Sequence, residues 1–263
     1  MEQDLTTGSV FKRIVYFSLP YLLSYFLQTL YGMADLFITG QFYGVDTITA
    51  VSNGSQIMHM MTVIIVGLAM GTTVTIGHSV GAKCMEQAEK IIGNTITLFM
   101  GIAVAFTVIL VVLVKPIVVL IATPQEAVAG TSIYLLICFI GIPFITAYNI
   151  ISSIFRGLGD SKSPMYFIGI ACVMNIALDY LFMGAFHMGA AGAALGTVCA
   201  QTFSVLVALW VIRRRKTGIS LKKSDFKIER AVIGQVLKIG IPVALQDGSV
   251  SYTHLRAHET AAN

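Results

Sequence analysis

Two aspartates are the residues most able to do chemistry in this chain. Asp35 and Asp179 each lie inside a long apolar run that holds no lysine or arginine. An ionisable group carried to the centre of a bilayer costs ~2.5–3.5 kcal/mol on insertion scales. A carboxylate left unpaired there either takes up a proton or holds a cation. Both outcomes make a coupling site for H⁺ or Na⁺. Asn175 precedes Asp179 by four residues, so both side chains share one helical face. An amide oxygen beside a carboxylate suits a hard cation. Thr197 and Gln201 are spaced in the same way, just after Gly189-Ala-Ala-Gly-Ala-Ala-Leu-Gly196. Such a small-residue surface lets helices approach closely, so Asn175, Asp179 and Thr197 are expected to converge.

Other polar residues in apolar runs are Gln28, Asn53, Gln56, Tyr148 and Asn149, with His59 and His78. Together with Gln201 they are candidates to line a cavity, and each serves equally well as an interhelical hydrogen bond. There is no Walker-type lysine loop and no His-Glu-x-x-His. Arg156-Gly-Leu-Gly-Asp-Ser-Lys162 is glycine-rich but joins two apolar runs, and it reads as a tight turn. The four cysteines form no Cys-x-x-Cys pair, so neither a disulfide framework nor a zinc site is expected. No enzyme activity, cofactor or transition metal is implied.

The elements that must position these residues follow from composition. Hydrophobic residues are 56 % of the chain and charged residues 11 %, against roughly 25 % charged in a soluble domain. Mean hydropathy is +0.81. Too few polar groups remain to cover a soluble surface, so the apolar surface is expected to face lipid. Six stretches approach the ~20 apolar residues a spanning helix needs: 14–38, 51–80, 91–114, 127–152, 164–184 and 190–212. They show no period-two alternation, which favours helices over a barrel.

If the six spans alternate, fifteen lysines and arginines fall on one side and only Lys115 on the other, with Arg256 in the tail left out. The positive-inside rule then places the N-terminus in the cytoplasm, in a multi-pass protein of the inner (plasma) membrane. The net charge of +4 is confined to loops, so it is read as topology and not as a nucleic-acid surface.

Residues 1–212 thus form a six-helix lobe and 213–235 a basic cytoplasmic linker. Two readings of 217–235 stand equally: a surface helix with Phe226, Ile228, Val232 and Val236 along one face, and a plain linker. Val236-Leu-Lys-Ile-Gly-Ile-Pro-Val-Ala-Leu245 repeats the pattern of Ile14-Val-Tyr-Phe-Ser-Leu-Pro-Tyr-Leu-Leu23, with Pro242 matching Pro20. Parallel six-helix repeats are common in secondary transporters, so 236–250 is expected to start a seventh helix. Residues 251–263 are polar, are not expected to span a bilayer, and read as a non-native tail. Pro20 and Pro143 are expected to kink their spans. Gly67 and Gly71 read as a packing device.

Three segments resemble the multidrug and toxic compound extrusion (MATE) family: Ala34-Asp-Leu-Phe-Ile-Thr-Gly40, Phe155-Arg-Gly-Leu-Gly-Asp-Ser-Lys-Ser-Pro164, and Asn175-Ile-Ala-Leu-Asp179 followed by Met188-Gly-Ala-Ala-Gly-Ala-Ala194. The resemblance implies one six-helix lobe of a twelve-helix, two-lobed transporter, with the C-terminal lobe missing. It implies alternating access driven by H⁺ or Na⁺ and export of amphipathic or cationic organic compounds. It also implies a cation site at Asp35, Asn175, Asp179 and Thr197. The rival expectations are a lipid-linked saccharide flippase of the same superfamily and an inactive fragment. The spans hold no lysine or arginine for an anionic cargo, which favours the exporter.

Overall fold

The computed structural model describes residues 9–214 and 221–261, with side chains as far as residue 249. Arg215, Lys216 and the side chains of His254, Arg256, His258 and Glu259 lie outside the described residues. The described chain is all helical, without strands. Its elements are α1 (Val10–Phe42), α2 (Val45–Gly81), α3 (Met85–Leu120), α4 (Gln125–Gly157), α5 (Lys162–Asp179), a π-helical turn (Tyr180–Ala185), α6 (Gly189–Arg214), a 3-10 turn (Lys223–Phe226) and α7 (Arg230–Ala261). Six long helices thus stand where six spans were expected. Each overruns its hydropathy span, because helical bonding continues into the polar ends. At 33 residues, α1 is about 50 Å long and exceeds a ~30 Å hydrocarbon core.

Five of the six, α2 to α6, combine length with strong apolarity, α5 together with its π-helical turn. The exception is α1, which is long enough but diluted by Ser18, Ser24, Gln28, Thr29 and Asp35. In α3 only 11 % of the most apolar window is buried, so most of its surface is left for lipid. Helical structure runs through Pro20, Pro116, Pro143 and Pro242 without interruption.

At the centre, α4 packs against α2, α3 and α6, while α1 leans chiefly on α5. One apolar cluster gathers Ile38, Val51, Phe139, Met183 and Ala193 near the α1–α2 connection. A second gathers Ile76, Ile91, Phe99 and Val236 at the opposite, lysine-rich end. A third joins α4, α5 and α6 through Phe155, Phe167 and Ala208.

The Arg156–Lys162 segment forms the tight turn expected of it. Gly159 adopts φ +86°, a left-handed conformation that favours glycine. Asp160 N–H closes back on Phe155 O at 2.9 Å. The Asp160 carboxylate then accepts the backbone N–H groups of Lys162 (3.1 Å) and Ser163 (3.0 Å), capping the start of α5.

Gly67 and Gly71 seat α7. A Cβ on Gly67 would meet the Ala244 backbone, and one on Gly71 would run into Val236 O. The segment ahead of α7 does not form the single surface helix that one of the two readings expected. A 3-10 turn comes first, and α7 opens at Arg230. Val236 is buried while Ile228 is 60 % exposed, so the four apolar residues do not share one face. The cause is Asn94 on α3. Its amide donates to Asp225 O at 3.1 Å and accepts Glu229 N–H at 2.7 Å. Thr97 donates to Phe226 O at 3.0 Å. These bonds pin the turn to α3. Helical backbone continues through 251–261, the stretch read as a tail.

Candidate cation site

Few residues of α1 are buried: Pro20, Asp35, Ile38 and Thr39. Its apolar side chains point outward, with Phe26 61 %, Met33 64 % and Phe37 66 % exposed. The helix therefore directs a carboxylate inward and hydrocarbon outward. Asp35 is 2 % exposed and Asp179 is fully buried. The two carboxyls lie within hydrogen-bonding reach of each other, and Asn175 lies beside Asp35. From α6, the Thr197 hydroxyl donates to Asp35 Oδ2 at 3.2 Å. The structure brings Asp35, Asn175, Asp179 and Thr197 into one cluster between α1, α5 and α6.

The hydrogen bonding of this cluster is incomplete. Asp35 Oδ1, both Asp179 oxygens and both polar atoms of the Asn175 amide have no completed partner. Two carboxylates facing one another offer only acceptors, and like charges at that range do not both stay ionised and bare. A shared proton or a small cation between them resolves the conflict. The donor set is carboxylate, amide and hydroxyl oxygen, which suits H⁺ or a hard alkali cation. Among the described residues no group of three or more His, Cys, Asp and Glu is placed to hold a metal ion. The cysteines described are free.

Two features that make room for the cluster were not read from the sequence. Gly196 was taken only as part of a small-residue surface. A Cβ there would collide with Asp179 Oδ1 and come within 3.6 Å of the Asn175 amide nitrogen. Its missing side chain is the space Asp179 occupies. The second is the widened turn immediately after Asp179, where Phe186 N–H reaches back five residues to Leu181 O at 3.0 Å. Such turns recur at functional sites. Tyr43 fastens this elbow: its hydroxyl donates to Met183 O at 3.0 Å and accepts Gly189 N–H at 2.9 Å.

Of the cavity candidates, Gln201 is buried, with Oε1 unsatisfied. It lies with Gln28 against Tyr31, a residue the sequence did not single out. Tyr148 is buried on the same side of α4. Asn149 bonds its own helix at Ile145 O, 2.8 Å away. Gln56 is exposed and Asn53 half-buried on α2, and no described hydrogen bond joins either to the cluster.

The family model described as MatE matches residues 20–181, a stretch that holds Asp35, Asn175 and Asp179. The chain belongs to the MatE family. It is 34 % identical over 244 residues to the probable multidrug resistance protein YpnP of Bacillus subtilis, covering 92 % of this chain and 54 % of YpnP. A solved MATE structure in the bent conformation superposes with a TM-score of 0.88 at 26 % identity, over 94 % of this chain and 55 % of that one. Another in the straight conformation gives 0.87 at 25 %, over 96 % and 56 %. The MatE chain described here spans about half the length of these relatives. It is a multi-pass membrane protein whose helices match one lobe of MATE transporters.

Proposed function

We propose that this MatE chain provides the cation-coupling lobe of a secondary antiporter. The antiporter exports amphipathic or cationic organic compounds in exchange for H⁺ or Na⁺. The observation that carries the reading is the buried Asp35–Asp179 pair, whose unsatisfied oxygens require a positive charge between them. A cation arriving there neutralises the pair and draws α1 onto α5 and α6. Its departure leaves two facing carboxylates that push α1 away. The bent and straight MATE relatives support a moving element of this kind. The fifteen-to-one partition of basic residues supports a cytoplasmic N-terminus in the plasma membrane.

The test has two parts. The chain in lipid nanodiscs is examined by infrared spectroscopy for a protonated-carboxyl band and by equilibrium binding of radioactive sodium. Asp179→Asn abolishes whichever signal the wild type shows. In cells expressing the full genomic reading frame, Asp179→Asn also removes drug efflux and its dependence on pH or sodium gradients. Unchanged efflux with unchanged cation dependence would refute the assignment.

A further inference from the structure

The half-buried face of α1 is polar along most of its length. Counting back from Asp35, the residues Tyr31, Gln28, Ser24 and Tyr21 recur every three or four positions, and none is exposed. Leu22, Phe26 and Leu30 between them are exposed. A lipid-exposed helix that turns its polar stripe inward must meet polar groups there, because unsatisfied groups in hydrocarbon are costly.

On α4, Tyr148, Ser152 and Arg156 form the matching stripe at successive turns. Tyr31 lies against Gln28 and Gln201 and faces both Asp35 and Tyr148. Tyr148 lies beside Ser152 and within electrostatic reach of Arg156. Arg156 stands at the lysine-rich end. It donates to Ser153 Oγ at 2.9 Å, and its guanidinium carbon lies 5.4 Å from the Tyr21 ring centroid. Several atoms along this line have no completed hydrogen bond: Gln201 Oε1, Ser152 Oγ and Arg156 Nε. Buried polar groups left open in this way are places for ordered water.

The opposite end is more apolar. There Ile38, Met183, Ala190 and Ala193 form an apolar cluster, and Tyr43 ties the α5–α6 elbow across it.

We propose that this seam of hydroxyl and amide groups between α1 and α4, completed by water, is the proton path joining the Asp35–Asp179 pair to the lysine-rich end of the lobe. A proton leaves the pair to Tyr31 or a neighbouring water. Tyr31 releases its own proton to Tyr148, Tyr148 releases its own to Ser152, and Ser152 releases its own to water at the lysine-rich end, so no group along the path keeps a net charge. Arg156 stands at the mouth of the seam, against the Tyr21 ring.

The inference rests on the pair being the coupling site, and the experiment separates the two. The chain in nanodiscs is transferred into D₂O, and the isotope shift of the carboxyl band is followed in time. Tyr148→Phe and Ser152→Ala each slow the shift by at least about tenfold, while the amplitude of the band and the melting temperature stay unchanged. Thr72→Val removes a buried hydroxyl bonded to Thr95 between α2 and α3, away from the seam, and leaves the rate as it was. A band that exchanges at the wild-type rate in both seam variants, or slows equally in Thr72→Val, overturns the path but leaves the coupling site standing. A wild-type chain with Asp179-dependent sodium binding and no carboxyl band overturns the path alone, and one with neither signal overturns both.

Discussion

Asp179→Asn makes the chain more stable while removing what the site is for. In the wild type, Asp35 Oδ1 and both Asp179 oxygens have no donor, although Asp179 is fully buried. Leaving a buried polar group unpaired costs about 1–3 kcal/mol. An asparagine keeps the shape of Asp179 and brings an NH₂ group within reach of Asp35. At least one open acceptor is then satisfied and one of two facing charges disappears. The expected gain is roughly 1–3 kcal/mol, seen as a rise of about 2–4 °C in melting temperature for each kcal/mol in a chain of this size.

A bound cation changes the comparison. It stabilises only the folded wild type, by about 2.7 kcal/mol at a hundredfold excess over Kd. The two melting curves therefore converge or cross as the cation is added. The assay is thermal unfolding in detergent, first in sodium-free buffer at high pH, then along separate sodium and acid titrations. The variant should start higher and stay flat while the wild type climbs. A variant that starts lower and climbs as steeply as the wild type would refute the reasoning, since the open oxygens would then be neither a cost nor a cation site.

Three other outcomes follow from the packing. Gly196→Ala forces a methyl group against Asp179, costs about 1–3 kcal/mol as overpacking, and abolishes cation-dependent stabilisation; an equal change in Gly101→Ala, where a Cβ meets nothing within 4 Å, would remove the significance of the close contact. Gly71→Leu drives a side chain into the Val236 carbonyl and should unseat α7, read by mass spectrometry as faster backbone hydrogen–deuterium exchange across residues 236–246; unchanged protection there would refute the contact. Asn94→Ala removes two of the three bonds that hold the turn before α7 to α3, leaving that of Thr97; proteolysis between 221 and 230 should accelerate severalfold while the stability of the helical lobe falls by about 1–3 kcal/mol or less.

The residues that could hold a cation were legible because hydrophobic runs make any carboxylate conspicuous. Asn175 and Asp179 needed only helical spacing to be placed on one face. Thr197 followed from the small residues before it. Tyr31 escaped notice because a tyrosine in an apolar run looks like another aromatic, and its partners Gln201 and Gln28 come from two different helices. Gly196 was visible as a packing residue, but which atom fills the space beside a glycine is decided by the neighbouring helix. The widened turn after Asp179 had no sequence signal, since it depends on where the elbow between α5 and α6 is fastened by Tyr43. For the segment before α7 the sequence left a surface helix and a plain linker equally open, and neither reading contained the bonds that hold it to α3. Its pattern of apolar residues was real, but Asn94, far away in the chain, competes for its backbone and breaks the run into a turn and a helix start.

The outward hydrocarbon of α1 has an energetic consequence. Phe26, Met33 and Phe37 are exposed in this lobe, so displacing the helix leaves their contacts within the lobe little changed. In the proposed antiporter the balance between its positions rests on the packing of Ile38 and on a few polar bonds of about 1 kcal/mol each. One elementary charge falling through 100 mV releases about 2.3 kcal/mol. The membrane voltage acting on a single ion is therefore of the right size to decide where this helix rests.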